Sequence, residues 1–152
     1  MRELGVIEER IRDDATAALK AGDKRRRAAL STFVSALKKE RIDSGKAPAE
    51  ADELLVLKRE RKRRAEAIAV YEQAGRADLA EQERYEEQLL AAYMPAELGD
   101  DELDALVEEA LAATEAVSAK DMGKVMGWLK PKVAGRVDGK RLSDVVRGKL
   151  EG

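Results

Sequence analysis

Asp78-Leu79-Ala80-Glu81-Gln82-Glu83-Arg84-Tyr85-Glu86-Glu87-Gln88-Leu89-Leu90-Ala91-Ala92-Tyr93-Met94-Pro95-Ala96-Glu97-Leu98 carries a helix start, an apolar series and a proline break in succession. Asp78 stands three residues before Glu81, as in a capping box, so a helix is predicted to begin there. Leu79, Leu89, Leu90 and Tyr93 supply its apolar residues. Pro95 disfavours helical geometry at Met94, so this helix must break there. The boundary between two domains is placed at Pro95–Gly99, giving residues 1–95 and 96–152.

Upstream, Leu4, Ile7, Ile11, Ala15, Ala18 and Leu19 recur at spacings of three and four, the period of an amphipathic helix. Gly22 supplies a stop and Asp23 a cap for the next helix. That helix carries Leu30, Phe33, Val34 and Leu37 and runs out near Asp43-Ser44-Gly45. Phe33 is the only phenylalanine and is expected to anchor the core. Pro48, tolerated in a first turn, marks a third helix with Leu54, Leu57, Ala65, Ile68 and Tyr71, ending at Gly75. Downstream, Leu103, Leu106, Val107, Ala110 and Leu111 give one helix. Ser118, three residues before Asp121, opens another with Met122, Val125, Met126 and Leu129, predicted to stop at Pro131. Asp138 can cap the last, which carries Leu142, Val145, Val146 and Leu150. No segment has convincing strand alternation. The predicted fold class is all-α, an N-terminal four-helix domain followed by a three-helix tail domain. A tail of this size is marginal for an independent core, so packing against the first part is expected.

Composition narrows the chemistry. The 152 residues are 39% charged and only 3% aromatic, with no His and no Cys. Disulfides, thiolate nucleophiles, Cys-ligated metals, His-ligated zinc and His-based triads are thereby excluded. No metal or cofactor is expected. The first residues lack the apolar core of a signal peptide, and no run is long enough to span a membrane. A soluble, cytoplasmic protein is the expectation. The net charge of −2 conceals segregation: +4 over residues 1–75, −11 over 76–118 and +5 over 119–152. Polyanion-facing ends and charge complementarity between packed helices are both compatible with that ordering.

Two regions carry the basic charge. Lys58-Arg59-Glu60-Arg61-Lys62-Arg63-Arg64 winds around its helix and puts Arg61 where a core residue would fall. Arg61, Arg63 and Arg64 are candidate phosphate contacts; the alternative is ion pairing with Glu81, Glu83, Glu86 and Glu87. Lys24-Arg25-Arg26-Arg27 opposes the helix macrodipole at its start, so contact with an anion and a solvated face are both open. In the tail, Gly123 and Gly127 each cost a helix about 1 kcal/mol relative to alanine, which implies close approach of another helix or of a ligand. Trp128 lies off the apolar stripe and reads either as a core-rim residue or as a stacking or anchoring side chain. Gly135-Arg136-Val137-Asp138-Gly139-Lys140 combines two flexible positions with cations beside a helix start, a phosphate-compatible arrangement without P-loop spacing. Asp100-Asp101-Glu102 reads as compensation of a helix dipole. The serines have no histidine partner, and no catalytic residue stands out.

Asp121-Met122-Gly123-Lys124-Val125-Met126-Gly127 followed by Gly135–Lys140 resembles the GatB/YqeY domain family. Two further segments agree. Tyr71–Leu79 is similar to the family's F/Y-x-x-A-G-R-x-D-L, and Tyr93–Leu98 to its Y-[LM]-P-x-x-L. Order and spacing fit a free-standing YqeY-like protein over essentially the whole chain. Gly99 stands where a serine cap is usual, Val137 where alanine is common, and Trp128 at a variable position. The resemblance implies an all-α fold whose tail is like that of the tRNA-dependent amidotransferase B subunit, where the tail helps hold tRNA. It carries with it the description "carbon–nitrogen ligase with glutamine as amido-N donor", which the residues here do not support as an independent activity.

The expected function is a tRNA- or RNA-binding accessory protein without its own catalytic centre. Lys124, Lys130, Lys132, Arg136, Lys140 and Arg141 would contact phosphates, with Gly123, Gly127, Gly135 and Gly139 allowing close approach. Arg136→Ala is expected to lower the salt dependence of binding by about one charge. The alternatives are a protein–protein adaptor docking on an amidotransferase or aminoacyl-tRNA synthetase, and a component assisting the ligase reaction.

Overall fold

The computed structural model describes residues 4–151. Among them the regular structure is entirely helical, with seven α-helices, one 3₁₀ turn and no strand. Contacts divide the chain into two compact units, Met1–Met94 and Pro95–Gly152.

The first unit holds α1 (Val6–Lys20), α2 (Lys24–Ser44), α3 (Glu50–Gln73) and α4 (Ala77–Ala91). Asp23 caps α2 as its type suggests, its carboxylate accepting from the Arg26 N–H at 3.0 Å. Gly22, Gly45 and Gly75 follow three helix ends with φ of 75°, 67° and 71°, a conformation strained for any residue with a Cβ. α1 has no cap of its own, because Gly5 occupies that position. Glu53 of α3 supplies it, accepting from the N–H groups of Ile7 at 3.1 Å and Glu8 at 2.8 Å. A Cβ on Gly5 would overlap the Glu53 carboxylate, so the glycine makes room for this cap. Glu53→Ala is expected to cost about 1–2 kcal/mol. Gly5→Ala should match it in a urea melt, because it displaces the same carboxylate.

Phe33, Leu30, Ile11, Leu57 and Leu90 are fully buried and bring all four helices to one core. Tyr93 closes that core, its hydroxyl donating to Asp14 and its ring lying 5.0 Å below the Arg10 guanidinium. Burial and the Asp14 carboxylate both push the Tyr93 phenol well above its ordinary pKa.

Three predicted boundaries move. Pro48 lies before α3, which is capped at Ala49. α4 starts at Ala77 with Arg76 at the cap position, so the Asp78–Glu81 capping box does not form. Asp78 instead pairs with Arg76 at 3.3 Å. α4 also ends at Ala91, ahead of the proline-imposed break, and a turn carries Tyr93 into the core.

The second unit comprises α5 (Asp100–Thr114), a 3₁₀ turn (Ala119–Asp121), α6 (Met122–Val133) and α7 (Gly139–Glu151). Leu103, Val107, Val125, Leu129, Leu142 and Val146 meet in its own core. Asp121 reaches back to accept from the N–H groups of Val117 at 2.8 Å and Ser118 at 3.2 Å. Those bonds hold its carboxyl below the usual range. The expected stop at Pro131 does not occur, since α6 continues to Val133. Proline removes one helical bond, to the Gly127 carbonyl, and Gly127 is exposed. Burial of Val133, 3% exposed, holds the last turn in place. Gly135, at φ 75°, then turns the chain.

No helix among the described residues is long and apolar enough to cross a membrane.

Candidate nucleic-acid interface

α6 is amphipathic in an unusual way. Val125, Leu129 and Val133 point into the core, while Gly123, Lys124, Gly127, Lys130, Pro131 and Lys132 are exposed. From Met122 to Val137 the sequence has no acidic residue. The exposed side is therefore basic, with two gaps in its side-chain cover. A Cβ on Gly123 or Gly127 would meet nothing within 4 Å. Tight helix packing within the second unit does not account for these glycines. Gly139, the first residue of α7, is likewise unobstructed.

The lysines differ in their commitments. Lys130 makes no ion pair among the described residues. Lys124 lies 3.4 Å from Asp121 with its side chain half exposed. Lys140 is 3.6 Å from Asp144 and projects into solvent. Lys132 is exposed, and its ammonium sits 3.9 Å from the centroid of the Trp128 ring. Such loose surface pairs are worth little and exchange readily for a phosphate.

The two arginines expected beside them hold the loop together. Arg136 donates from Nε to the Ala96 carbonyl at 2.9 Å and lies 3.6 Å from Glu102. Its own carbonyl accepts from the Leu98 N–H at 2.8 Å. Arg141 donates to the Leu98 carbonyl at 2.9 Å and to Asp100 at 2.5 Å. Both guanidinium groups thus clamp residues 96–100, Arg136 from the turn before α7 and Arg141 from the first turn of α7. The acidic start of α5 provides part of that clamp as well as complementing the helix dipole.

The basic run on α3 is likewise divided. Arg64 is 7% exposed, donates to Glu86 at 3.0 Å and to the Glu60 carbonyl at 2.9 Å, and lies 5.1 Å over the Phe33 ring. It belongs to the core of the first unit and is not available to a phosphate. Arg61 lies 3.6 Å from Glu87, so α3 and α4 do pair their opposite charges. Arg63, 71% exposed at its side chain, lies 3.1 Å from Glu60. On α2, Arg25 bonds Glu81 at 2.7 Å and stacks over Tyr85 at 3.8 Å, so part of the 24–27 run also serves packing. The pairing alternative was visible in the sequence, but which arginine each glutamate takes depends on how the helices are rotated.

No cluster of three or more metal-ligating side chains occurs among the described residues. No buried side-chain nitrogen or oxygen among them lacks a hydrogen-bond partner.

Comparison with curated proteins finds no match. Comparison with protein families does: residues 8–150 match the Yqey-like protein family. That span runs from the first turn of α1 to the last turn of α7 and includes the whole open face of α6, and the chain accordingly belongs to the Yqey-like protein family.

Proposed function

We propose that this protein is an RNA-binding accessory factor, with tRNA as the expected ligand, and that it has no catalytic centre of its own. The observation that carries the reading is the exposed side of α6, where Lys124, Lys130 and Lys132 surround two unobstructed glycines in an acid-free segment. Lys140 at the start of α7 adds a fourth exposed cation. A polyanion gains from each lysine without competing for a buried bond, and the missing side chains let a sugar–phosphate backbone come close. The resemblance of the tail to the tRNA-holding end of the amidotransferase B subunit supports tRNA in particular. With so few aromatic side chains, recognition rests mainly on backbone and shape.

Four phosphate contacts predict that the logarithm of affinity falls with the logarithm of salt concentration with a slope of about −3. Lys130→Ala should reduce that slope by about one and leave the melting temperature unchanged. Arg136→Ala should instead lower the stability of the tail, because its guanidinium holds the Ala96 carbonyl. Filter binding or anisotropy with labelled tRNA over a salt series checks both. Affinity independent of salt, or no binding at low salt, would overturn the reading.

A further inference from the structure

Trp128 is the only tryptophan in the chain. It packs against the core of the second unit yet stays partly exposed. Lys124, Trp128 and Lys132 follow one another at intervals of four residues, so they form a single line along α6, with each side chain one turn from the next. Lys132 covers the ring, its ammonium 3.9 Å from the centroid. The ring therefore has a cation on the turn before it and a second cation on the turn after it. Nothing in the core requires that order, since the stripe of Val125, Leu129 and Val133 already buries the helix.

We propose that Trp128 is a stacking platform for one unpaired nucleobase of the bound RNA, with Lys132 as a displaceable cover and Lys124 and Lys132 taking the phosphates on either side. This rests on the RNA-binding reading above and adds that part of the ligand must be single-stranded. A nucleotide matches the line because it offers one flat aromatic face flanked by two phosphates. An exposed ammonium over a ring is a weak contact, whereas stacking a base on an aromatic side chain strengthens binding roughly tenfold. The base therefore wins the ring, and the released lysine moves to the adjacent phosphate.

The sole tryptophan makes the test direct. An unpaired oligoadenylate and a blunt RNA duplex, each carrying a terminal dye, are titrated with the full-length protein. Anisotropy of the dye is read for binding. Intrinsic tryptophan emission is read in parallel with the unlabelled RNAs. The proposal expects both RNAs to bind in a salt-dependent way but only the oligoadenylate to quench Trp128. Trp128→Leu, which keeps an apolar contact with the core, should weaken the oligoadenylate roughly tenfold and leave the duplex unchanged. Binding of both RNAs without quenching overturns the stacking site and leaves the phosphate-binding reading standing. Absence of any anisotropy change with tRNA or either RNA at low salt overturns both. Because the quenching is read on the unmutated protein, the result does not depend on the variant folding.

Discussion

Phe33→Ala is expected to lower the unfolding free energy by about 3–5 kcal/mol, measured by urea denaturation. Phe33 is 0% exposed and sits where the buried faces of α1, α2, α3 and α4 converge. Its removal deletes a ring's worth of apolar burial and leaves a cavity that the surrounding helices fill only in part. A second loss accompanies it. Arg64 lies 5.1 Å over this ring at 7% exposure, so the substitution strips a buried guanidinium of its aromatic neighbour. Phe33→Leu, which retains much of the volume, should cost distinctly less. A loss below about 1 kcal/mol for the alanine variant would show that the four helices do not share this residue as their common contact.

Arg41→Met is expected to cost about 3 kcal/mol, because it leaves a buried carboxylate short of its partner. The Glu8 side chain is 2% exposed and that of Arg41 10%. Arg41 donates to Glu8 from Nε at 3.0 Å and from Nη2 at 3.2 Å, joining α2 to α1. The remaining partner, Arg12, is 40% exposed and bonds Glu8 at 2.9 Å. Replacing the buried pair together, as Glu8→Leu with Arg41→Met, should be far less harmful than Arg41→Met alone, since no charge is then stranded. A double variant as unstable as the single one would contradict this.

The same pair sets an acid dependence. Burial pushes the Glu8 carboxyl up, but its hydrogen bonds from Arg41 and Arg12 outweigh that and hold it below the usual carboxylate range. The folded protein thus binds this proton less readily than the unfolded chain. Its stabilising contribution is complete above the ordinary glutamate pKa and is lost as pH falls through the depressed folded value. Glu53 acts in the opposite sense, because burial raises its pKa despite the two N–H groups it accepts from. Its protonation therefore favours the folded state as pH falls. In a Glu53→Gln background, Arg41→Met should flatten the acid loss of stability, measured by urea melts over a pH series. An unchanged profile would show that Glu8 does not control it.

Features set within a few residues were legible in the sequence. The Asp23 cap and the turns at Gly22, Gly45 and Gly75 depend on local chemistry alone, and the structure has them. The stripe through Leu30, Phe33 and Leu37 announced its buried face by period. Features that need a distant partner were not legible. The cap of α1 comes from Glu53, 45 and 46 residues along the chain from the groups it satisfies. Arg64 looks like its basic neighbours until α4 brings Glu86 against it. The bonds that Arg136 and Arg141 make to the carbonyls of Ala96 and Leu98 were hidden because those groups lie 40 and 43 residues away. At Pro131 a correct local rule met the burial of Val133 and lost. For Gly123 and Gly127 the sequence left packing and ligand approach open, and the open space beside both removes packing within the second unit.

Whether RNA binds the acid-free face of α6 is decided by reversing the charge of Lys124, Lys130 and Lys132, each to glutamate, and titrating labelled tRNA at low salt. All three side chains are exposed, so the variant should stay folded, with a loss of about 0.3–1 kcal/mol for each charge reversed in the last turn of α6, which circular dichroism and a thermal melt check. Loss of detectable tRNA binding is expected in that folded variant. Binding at the original affinity would place the RNA elsewhere on the molecule and contradict it.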